Sequence, residues 1–251
     1  MSECKTVFPV SKPVTIAIHG KEERFPVGRI FCIGRNYQEH AAEMNYEPVD
    51  KSQSDPIFFI KSACHVAHSH TLETLRVPYP MGTSNLHHEV ELVLAFGKEL
   101  GAGAGDDAGA GSGLSKERIL DAIYGYAVGL DMTRRDLQSV AKKNGFPWDG
   151  AKDFADSVIL GELTEKTALA NPWMDNVGIK LTVNDEVRQD GVTSDLIWTI
   201  DECIAYLAKF YDFKAGDLVM TGTPSGVGPV VRGDKLHGSV EGLQDLRVEY
   251  F

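Results

Sequence analysis

The sequence predicts an α+β fold dominated by short strands. Apolar residues alternate with polar or small ones over many short runs, the period of a strand with one buried face. Three or four stretches have helical spacing, and irregular connections join them to the strands, unlike the regular strand–helix alternation of a doubly wound parallel sheet. No internal repeat or strong linker divides the 251 residues, a length that supports a sizeable core.

Composition narrows the function classes. Hydrophobic residues at 43% and charged residues at 24% are ordinary for a soluble globular protein, and no apolar run approaches the length that spans a bilayer. The net charge of −11 argues against a nucleic-acid partner, which needs clustered Lys and Arg. Acids clustered around a divalent metal fit that charge, as does plain solubility. Met1 to Val10 carry no secretory or transit pattern, so a cytoplasmic location is expected. Cys4, Cys32, Cys64 and Cys203 are too widely spaced for a zinc site or a disulfide framework, and reduced, mostly buried thiols are expected.

In chain order, Val14, Ile16 and Ile18 alternate, His19-Gly20-Lys21 supplies a turn, and Phe25 and Val27 resume the alternation as a hairpin. Ile30-Phe31-Cys32-Ile33 is a short strand ending at Gly34, which hands the chain to the polar cluster Arg35-Asn36-Tyr37. Helical spacing from Asn36 to about Met44 puts His40 and Glu43 on one face. They are either an acid–base pair or a surface pair worth about a few tenths of a kcal/mol. Pro48 to Pro56 should be a mobile loop, ahead of a buried strand from Ile57 to Lys61, and the flanking loops suit a lid carrying His40.

The stretch from His87 to Phe96 holds two carboxylates inside an apolar run. Val90, Leu92, Val93 and Leu94 suit a strand, so Glu89 and Glu91 project together with His87 behind them. Two half-buried carboxylates repel each other unless one is protonated or a cation sits between them. A solvated polar face and a hard divalent metal site are the two open readings. Gly101 to Gly113 lacks the Gly-Lys-Ser/Thr ending of a phosphate loop and reads as a flexible insertion.

Ser115 is the expected N-cap of a helix through Tyr124. A strand from Gly125, with Tyr126, Val128 and Leu130, then delivers Asp131, either a third metal ligand or the N-cap of the next helix through Gln138 and Lys143. Beyond a turn at Pro147 to Gly150, Lys152 either balances an anionic substrate or sits in solvent. Ile179, Leu181 and Val183 lead to an Asn184-Asp185 hairpin turn with Val187 beyond. Ile200, Ile204, Leu207 and Ala208 mark a helix ended by Gly216-Asp217, followed by a strand at Leu218 to Met220. Thr221 to Pro229 is a glycine-rich loop whose N–H groups either approach an anion or simply reverse the chain. Leu246, Val248 and Tyr250 form the closing strand.

Several of these motifs, in this order, resemble the fumarylacetoacetate hydrolase family from about Phe31 to the C-terminus. They are Gly34-Arg35-Asn36-Tyr37 with His40 and Glu43, then His87-His88-Glu89-Val90-Glu91, and Leu130-Asp131-Met132-Thr133 with Arg135-Asp136-Leu137-Gln138. Lys152 follows, and Thr221-Gly222-Thr223-Pro224 with Gly226-Val227-Gly228 completes the set. The nearest likeness is to short members acting on acylpyruvates such as fumarylpyruvate.

That resemblance implies a mixed β-roll, a homodimer, and Mg2+ or Mn2+ held by Glu89, Glu91 and Asp131. Three carboxylate oxygens leave positions open on an octahedral ion for the carboxylate and keto oxygens of a 2-oxo acid. It further implies His40 as base, with Glu43 orienting it, and water attacking the distal keto carbon. The carbon–carbon bond then breaks to a carboxylic acid and a pyruvate enolate, whose charge Lys152 shares with the metal. Arg35, Tyr37, Gln138 and Thr223 are implied to hold substrate, and Arg135 to brace Asp131 or the substrate side. Oxaloacetate-type decarboxylation, isomerisation of dienoic diacids and non-catalytic 2-oxo acid binding are the alternatives. The expected organisation is an N-terminal extension or hairpin over residues 1–28 and a catalytic domain over residues 29–251, with the insertion at 101–113.

Overall fold

The alternating stretches pair into four sheets in the computed structural model, which describes residues 6–10, 12–44, 46–68, 73–101 and 114–251. The largest sheet has eight strands. Its order is Ile57–Lys61, Ile30–Gly34, Leu218–Met220, Val90–Phe96, Ile123–Asp131, Val158–Leu160 and Val66–His68, with Thr164–Glu165 added to the Ile123–Asp131 strand. A five-stranded sheet orders Glu186–Val192, Gly178–Val183, Lys235–Val240, Leu246–Tyr250 and Leu75–Val77. Thr133–Arg134, Leu86–His88 and Gly228–Val230 make a third sheet, and Thr15–Ala17 pairs with Arg24–Pro26 as the expected hairpin. Pairing is mixed, since Leu218–Met220 runs parallel to Ile30–Gly34 and antiparallel to Val90–Phe96. Among the described residues five short helices accompany the sheets, so the β-dominated α+β expectation is met.

The central strands lose their alternation because both faces are covered. Val90, Leu92 and Leu94 pack into one apolar cluster with Leu181, Leu236 and Val248 of the five-stranded sheet. Val93 and Ala95 point the other way, into a second cluster with Ile16, Ile18 and Phe25 of the hairpin. Glu91 shares the parity of Val93 and Ala95, and Asp131 that of Ala127, so both acids leave the sheet on the face that the hairpin helps to cover. Gly129 pairs opposite Glu91, and a Cβ there would lie 2.5 Å from the Val93 side chain.

Several local expectations change. The run from His87 to Phe96 is not one strand, because the chain leaves the three-stranded sheet at His88 and joins the large sheet at Val90, with Glu89 at the break. Ile57–Lys61 is an edge strand in which Ile57 and Ile60 are each 41% exposed, whereas Lys61 is fully buried. The helix capped by Ser115 ends at Ala122 and the next strand begins at Ile123. Asp149–Lys152 closes a helical turn where a plain reversal was expected. Ile200–Leu207 stops well before Gly216-Asp217. Asn184 and Asp185 adopt φ of 52° and 66°, the left-handed pair a two-residue hairpin turn requires. The proposed insertion, Gly101 apart, lies outside the described residues, as does Cys4. Cys32 and Cys203 are free and buried, and Cys64 is free and exposed. Among the described residues no helix is long and apolar enough to cross a membrane.

Candidate active site

Strand register brings the three acids together. Val90 pairs with Leu130 and Glu91 with Gly129, while the Asp131 N–H donates to the Glu89 carbonyl at 2.9 Å. Glu89 and Asp131 are therefore opposite one another, with Glu91 diagonal to Asp131, all on one face. A carboxylate oxygen from each lies within 4.8 Å of the others, and all three residues are buried. Gln189 secures the break at Glu89. Its side-chain oxygen accepts from the Val90 N–H at 3.1 Å and meets His88 Nδ1 at 2.9 Å, while its Nε2 donates to Thr223 Oγ1 at 2.6 Å and to the Pro224 carbonyl at 2.8 Å. No sequence signal marks Gln189, which lies in a strand of mainly exposed residues.

Three buried cations face the three acids. Arg135 Nη2 donates to Glu89 Oε1 at 2.5 Å, and Arg135 Nη1 to Gln138 Oε1 at 2.5 Å, so this arginine braces Glu89 and not Asp131. Lys152 Nζ spends its three donors on Glu89 (2.8 Å), Asp131 (2.7 Å) and Thr133 Oγ1 (2.7 Å). Lys61 Nζ donates to the carbonyls of Met132 and Ser157 and pairs with Asp131 Oδ1 at 2.5 Å. A lysine closing the apolar run Ile57 to Ile60 was the one sequence hint of this ion pair. Lys61→Ala leaves Asp131 buried with one cation fewer. It is expected to cost about 3–5 kcal/mol in urea denaturation, the range for breaking a buried pair from one side; a loss under about 1 kcal/mol would show that Lys152 suffices.

The neutralisation is uneven. Burial pushes the Glu89 carboxyl up, but Lys152 and Arg135 outweigh it and hold the group well below the usual carboxylate range. Among the described residues Glu91 has only the Gly222 N–H, at 2.7 Å, and burial followed by the charges of Asp131 and Glu89 pushes it well above that range. Burial opposes the charge of Lys152, yet Asp131 and Glu89 keep its pKa raised. An all-oxygen donor set and a Glu91 with no ion-pair partner among the described residues fit a hard divalent ion.

His40 sits on the helix Gln38–Glu43 with Nδ1 3.2 Å from Glu43 Oε2. Glu43 in turn accepts from the Gly226 N–H at 3.1 and 3.3 Å. Burial pushes Glu43 up, but His40 and the N–H groups of Gly226 and Val227 hold it below its usual range. The backbone N–H donors of the Thr221 to Gly228 loop thus grip Glu91 and Glu43, and its Ser225 hydroxyl donates to Glu39 at 3.1 Å. Gly226 has φ 96°, and a Cβ there would lie 1.9 Å from the Arg188 carbonyl oxygen, so the loop requires glycine.

His40 and the carboxylate triad open onto one narrow cleft, lined by Arg35, His40, Glu89, Glu91, Asp131, Arg135, Gln138, Lys152 and Thr223. Met44, Tyr46, Phe59 and Trp148, unmarked in the sequence, add apolar and aromatic walls. Thr223 Oγ1 donates to the Val90 carbonyl at 2.7 Å. Tyr37 lies in the main core cluster, outside the lining, with its hydroxyl unpartnered. His87 is also outside the lining; it bonds Asn85, and burial lowers its pKa to about 4, which keeps it neutral.

The fold and this site define a class of metal-dependent enzyme, with a cluster of three carboxylates that could hold Mg2+ or Mn2+. The chain belongs to the fumarylacetoacetate hydrolase family, whose description, Fumarylacetoacetate (FAA) hydrolase C-terminal, matches residues 29–249. It is 41% identical over 199 residues to fumarylpyruvate hydrolase from Ralstonia sp, covering 79% of this chain and 94% of that one. Oxaloacetate tautomerase YcgM from Escherichia coli K12 is 38% identical over 219 residues, covering 87% and 90%. The crystal structure of fumarylpyruvate hydrolase from Pseudomonas aeruginosa in complex with Mn2+ and pyruvate matches with a TM-score of 0.88 and 39% identity, over 98% of this chain and 99% of that one.

Proposed function

We propose that the protein hydrolyses the carbon–carbon bond of an acylpyruvate, fumarylpyruvate first among them, to a carboxylic acid and pyruvate. The observation that carries this is His40, hydrogen-bonded to Glu43, lining the same cleft as the carboxylate triad. Likeness to the Ralstonia and Pseudomonas fumarylpyruvate hydrolases supports it.

A divalent ion held by Glu89, Glu91 and Asp131 supplies Lewis-acid polarisation of a 2-oxo acid's carboxylate and keto oxygens. Ionised Glu43 accepts from His40 Nδ1, which leaves Nε2 to take a proton from water. The resulting hydroxide oxygen bonds to the distal keto carbon. As that carbon becomes a carboxylic acid, the bond to pyruvate breaks and its electron pair passes to the pyruvate enolate. His40 returns the proton to the enolate carbon, which balances the step. Lys152, committed to Glu89, Asp131 and Thr133, acts on that charge through its field.

Tautomerisation of oxaloacetate is the second reading, favoured by the E. coli relative. It needs a base and a polarised keto acid but no attack by water. Incubating Mn2+-loaded protein with fumarylpyruvate, acetylpyruvate and oxaloacetate, with product analysis, separates the readings. Equimolar carboxylic acid and pyruvate are expected. Intact acylpyruvates beside accelerated keto–enol exchange of oxaloacetate would install the tautomerase, and loss of carbon dioxide a decarboxylase. A cytoplasmic homodimer, with residues 1–28 extending a catalytic unit of 29–251, completes the proposal, its oligomeric state readable by light scattering.

A further inference from the structure

The helix that carries His40 has six residues, Gln38–Glu43, and buries only His40 and Ala41. A helix shorter than about 12 residues is marginal in water by itself, so the position of His40 depends on what fastens this helix to the rest of the fold. On one side Ser225 Oγ donates to Glu39 at 3.1 Å and the Gly226 N–H to Glu43 at 3.1 Å. Past the C-terminal end the Tyr46 N–H donates back to the Ala41 carbonyl at 2.9 Å, so wherever Tyr46 is held, the end of the helix is held with it.

The Tyr46 ring meets two cations. The guanidinium carbon of Arg35 lies 3.3 Å from its centre and Lys142 Nζ 3.8 Å from it. Arg35 follows the strand Ile30–Gly34 of the large sheet, and Lys142 belongs to the helix Arg135–Asn144, whose first residue braces Glu89. Among the described residues no ion pair involves Arg35 or Lys142, and Arg35 Nε is buried without a hydrogen-bond acceptor, so no carboxylate draws either charge away from the ring. One aromatic side chain thereby links the short helix to the large sheet and to the helix that braces the metal site. The attraction comes from the ring quadrupole, which a phenylalanine keeps and a leucine lacks.

We propose that Tyr46 is a positioning residue: clipped by Arg35 and Lys142, it holds the helix Gln38–Glu43 so that His40 faces the carboxylate triad across the cleft. It acts on the reaction through His40. For turnover this rests on the acylpyruvate reading, and for the fastening of the helix on the geometry alone.

The test is hydrogen exchange of residues 38–44, read by mass spectrometry on the Mn2+-loaded protein, in four variants. Tyr46→Leu should speed exchange by about tenfold, the order of magnitude of two lost cation–π contacts, and Tyr46→Phe should leave it unchanged. Lys142→Gln should speed it severalfold, and Lys142→Arg should not. Exchange in the strand Val90–Phe96 should stay the same in all four, which marks a local release of the helix. In turnover assays kcat should fall in the same order while Mn2+ affinity holds, because Arg135, Lys152, Lys61 and Gly222 still grip the three carboxylates. Unchanged exchange in Tyr46→Leu, equal acceleration in Tyr46→Phe, or a matching rise in Val90–Phe96 would overturn the clip. Faster exchange with unchanged kcat would overturn its link to His40. Failure of the unaltered protein to cleave any acylpyruvate would remove the hydrolase reading instead, and the exchange rates, which need no substrate, would then decide the fastening by themselves.

Discussion

His40→Ala is expected to lower kcat for acylpyruvate cleavage by about 10²–10⁴-fold, the usual contribution of a positioned general base. Mn2+ affinity should persist, because His40 belongs to the helix Gln38–Glu43 and the three carboxylates are held by Arg135, Lys152, Lys61 and Gly222. Stopped-flow turnover with metal titration on the same preparation reads both. Glu43→Gln should cost less, since Gly226 can still donate to the amide oxygen while the charge that orients His40 is gone. Unchanged turnover in His40→Ala would remove it from the mechanism. Loss of hydrolysis with retained oxaloacetate tautomerisation would assign the pair to water activation in particular.

Glu91→Gln should abolish the stabilising effect of Mn2+ and lower turnover by about a thousandfold, consistent with the several kcal/mol a Lewis-acid ion supplies. The amide keeps the size of the side chain and can still accept from Gly222. Its effect on the metal-free protein has the opposite sign. Glu91 has a raised pKa, so the native state holds the proton more tightly than the unfolded chain does. Metal-free protein therefore loses stability as pH climbs from the ordinary carboxylate range toward the raised value. Glu89 is shifted the other way, and its contribution is lost only as pH falls below the ordinary range, so above about pH 5.5 it adds no slope. Buried, neutral His87 and His88 add an opposing rise that Glu91→Gln shares, so relative to that variant the melting temperature of metal-free protein should fall between pH 5.5 and 8, and the gain from Mn2+ should grow over the same interval. In Glu91→Gln the Glu91-dependent part of the fall and the Mn2+ gain should both be absent. A Mn2+ shift persisting in that variant would show that Glu91 is not a ligand.

Much of the site is legible in the chain because local spacing determines it. Glu89 and Glu91 lie two residues apart in an extended run, His40 and Glu43 three apart in a helix, and Asp131 at the end of an alternating strand; each spacing decides a shared face before any tertiary contact forms. The alternating runs likewise specified most strands, including the Asn184-Asp185 hairpin. The edge position of Ile57–Lys61 was not legible, because an apolar run reads the same whether buried on one face or two.

What the sequence by itself determined is the inventory: a β-dominated α+β chain with the motifs of the fumarylacetoacetate hydrolase family, three acids placed to share a face, and a His–Glu pair at helical spacing. Only the tertiary structure decided how the charges are shared. Lys61 reaches Asp131 across seventy residues of chain, Gln189 crosses from another sheet to hold the break at Glu89, and the Thr221 loop donates to Glu91 and Glu43. The physical reason is that Coulomb and hydrogen-bond energies depend on distance and burial in space. Separation along the chain leaves both open, so the pairing that leaves Glu91 without a cation among the described residues arises only when the sheets close on one another.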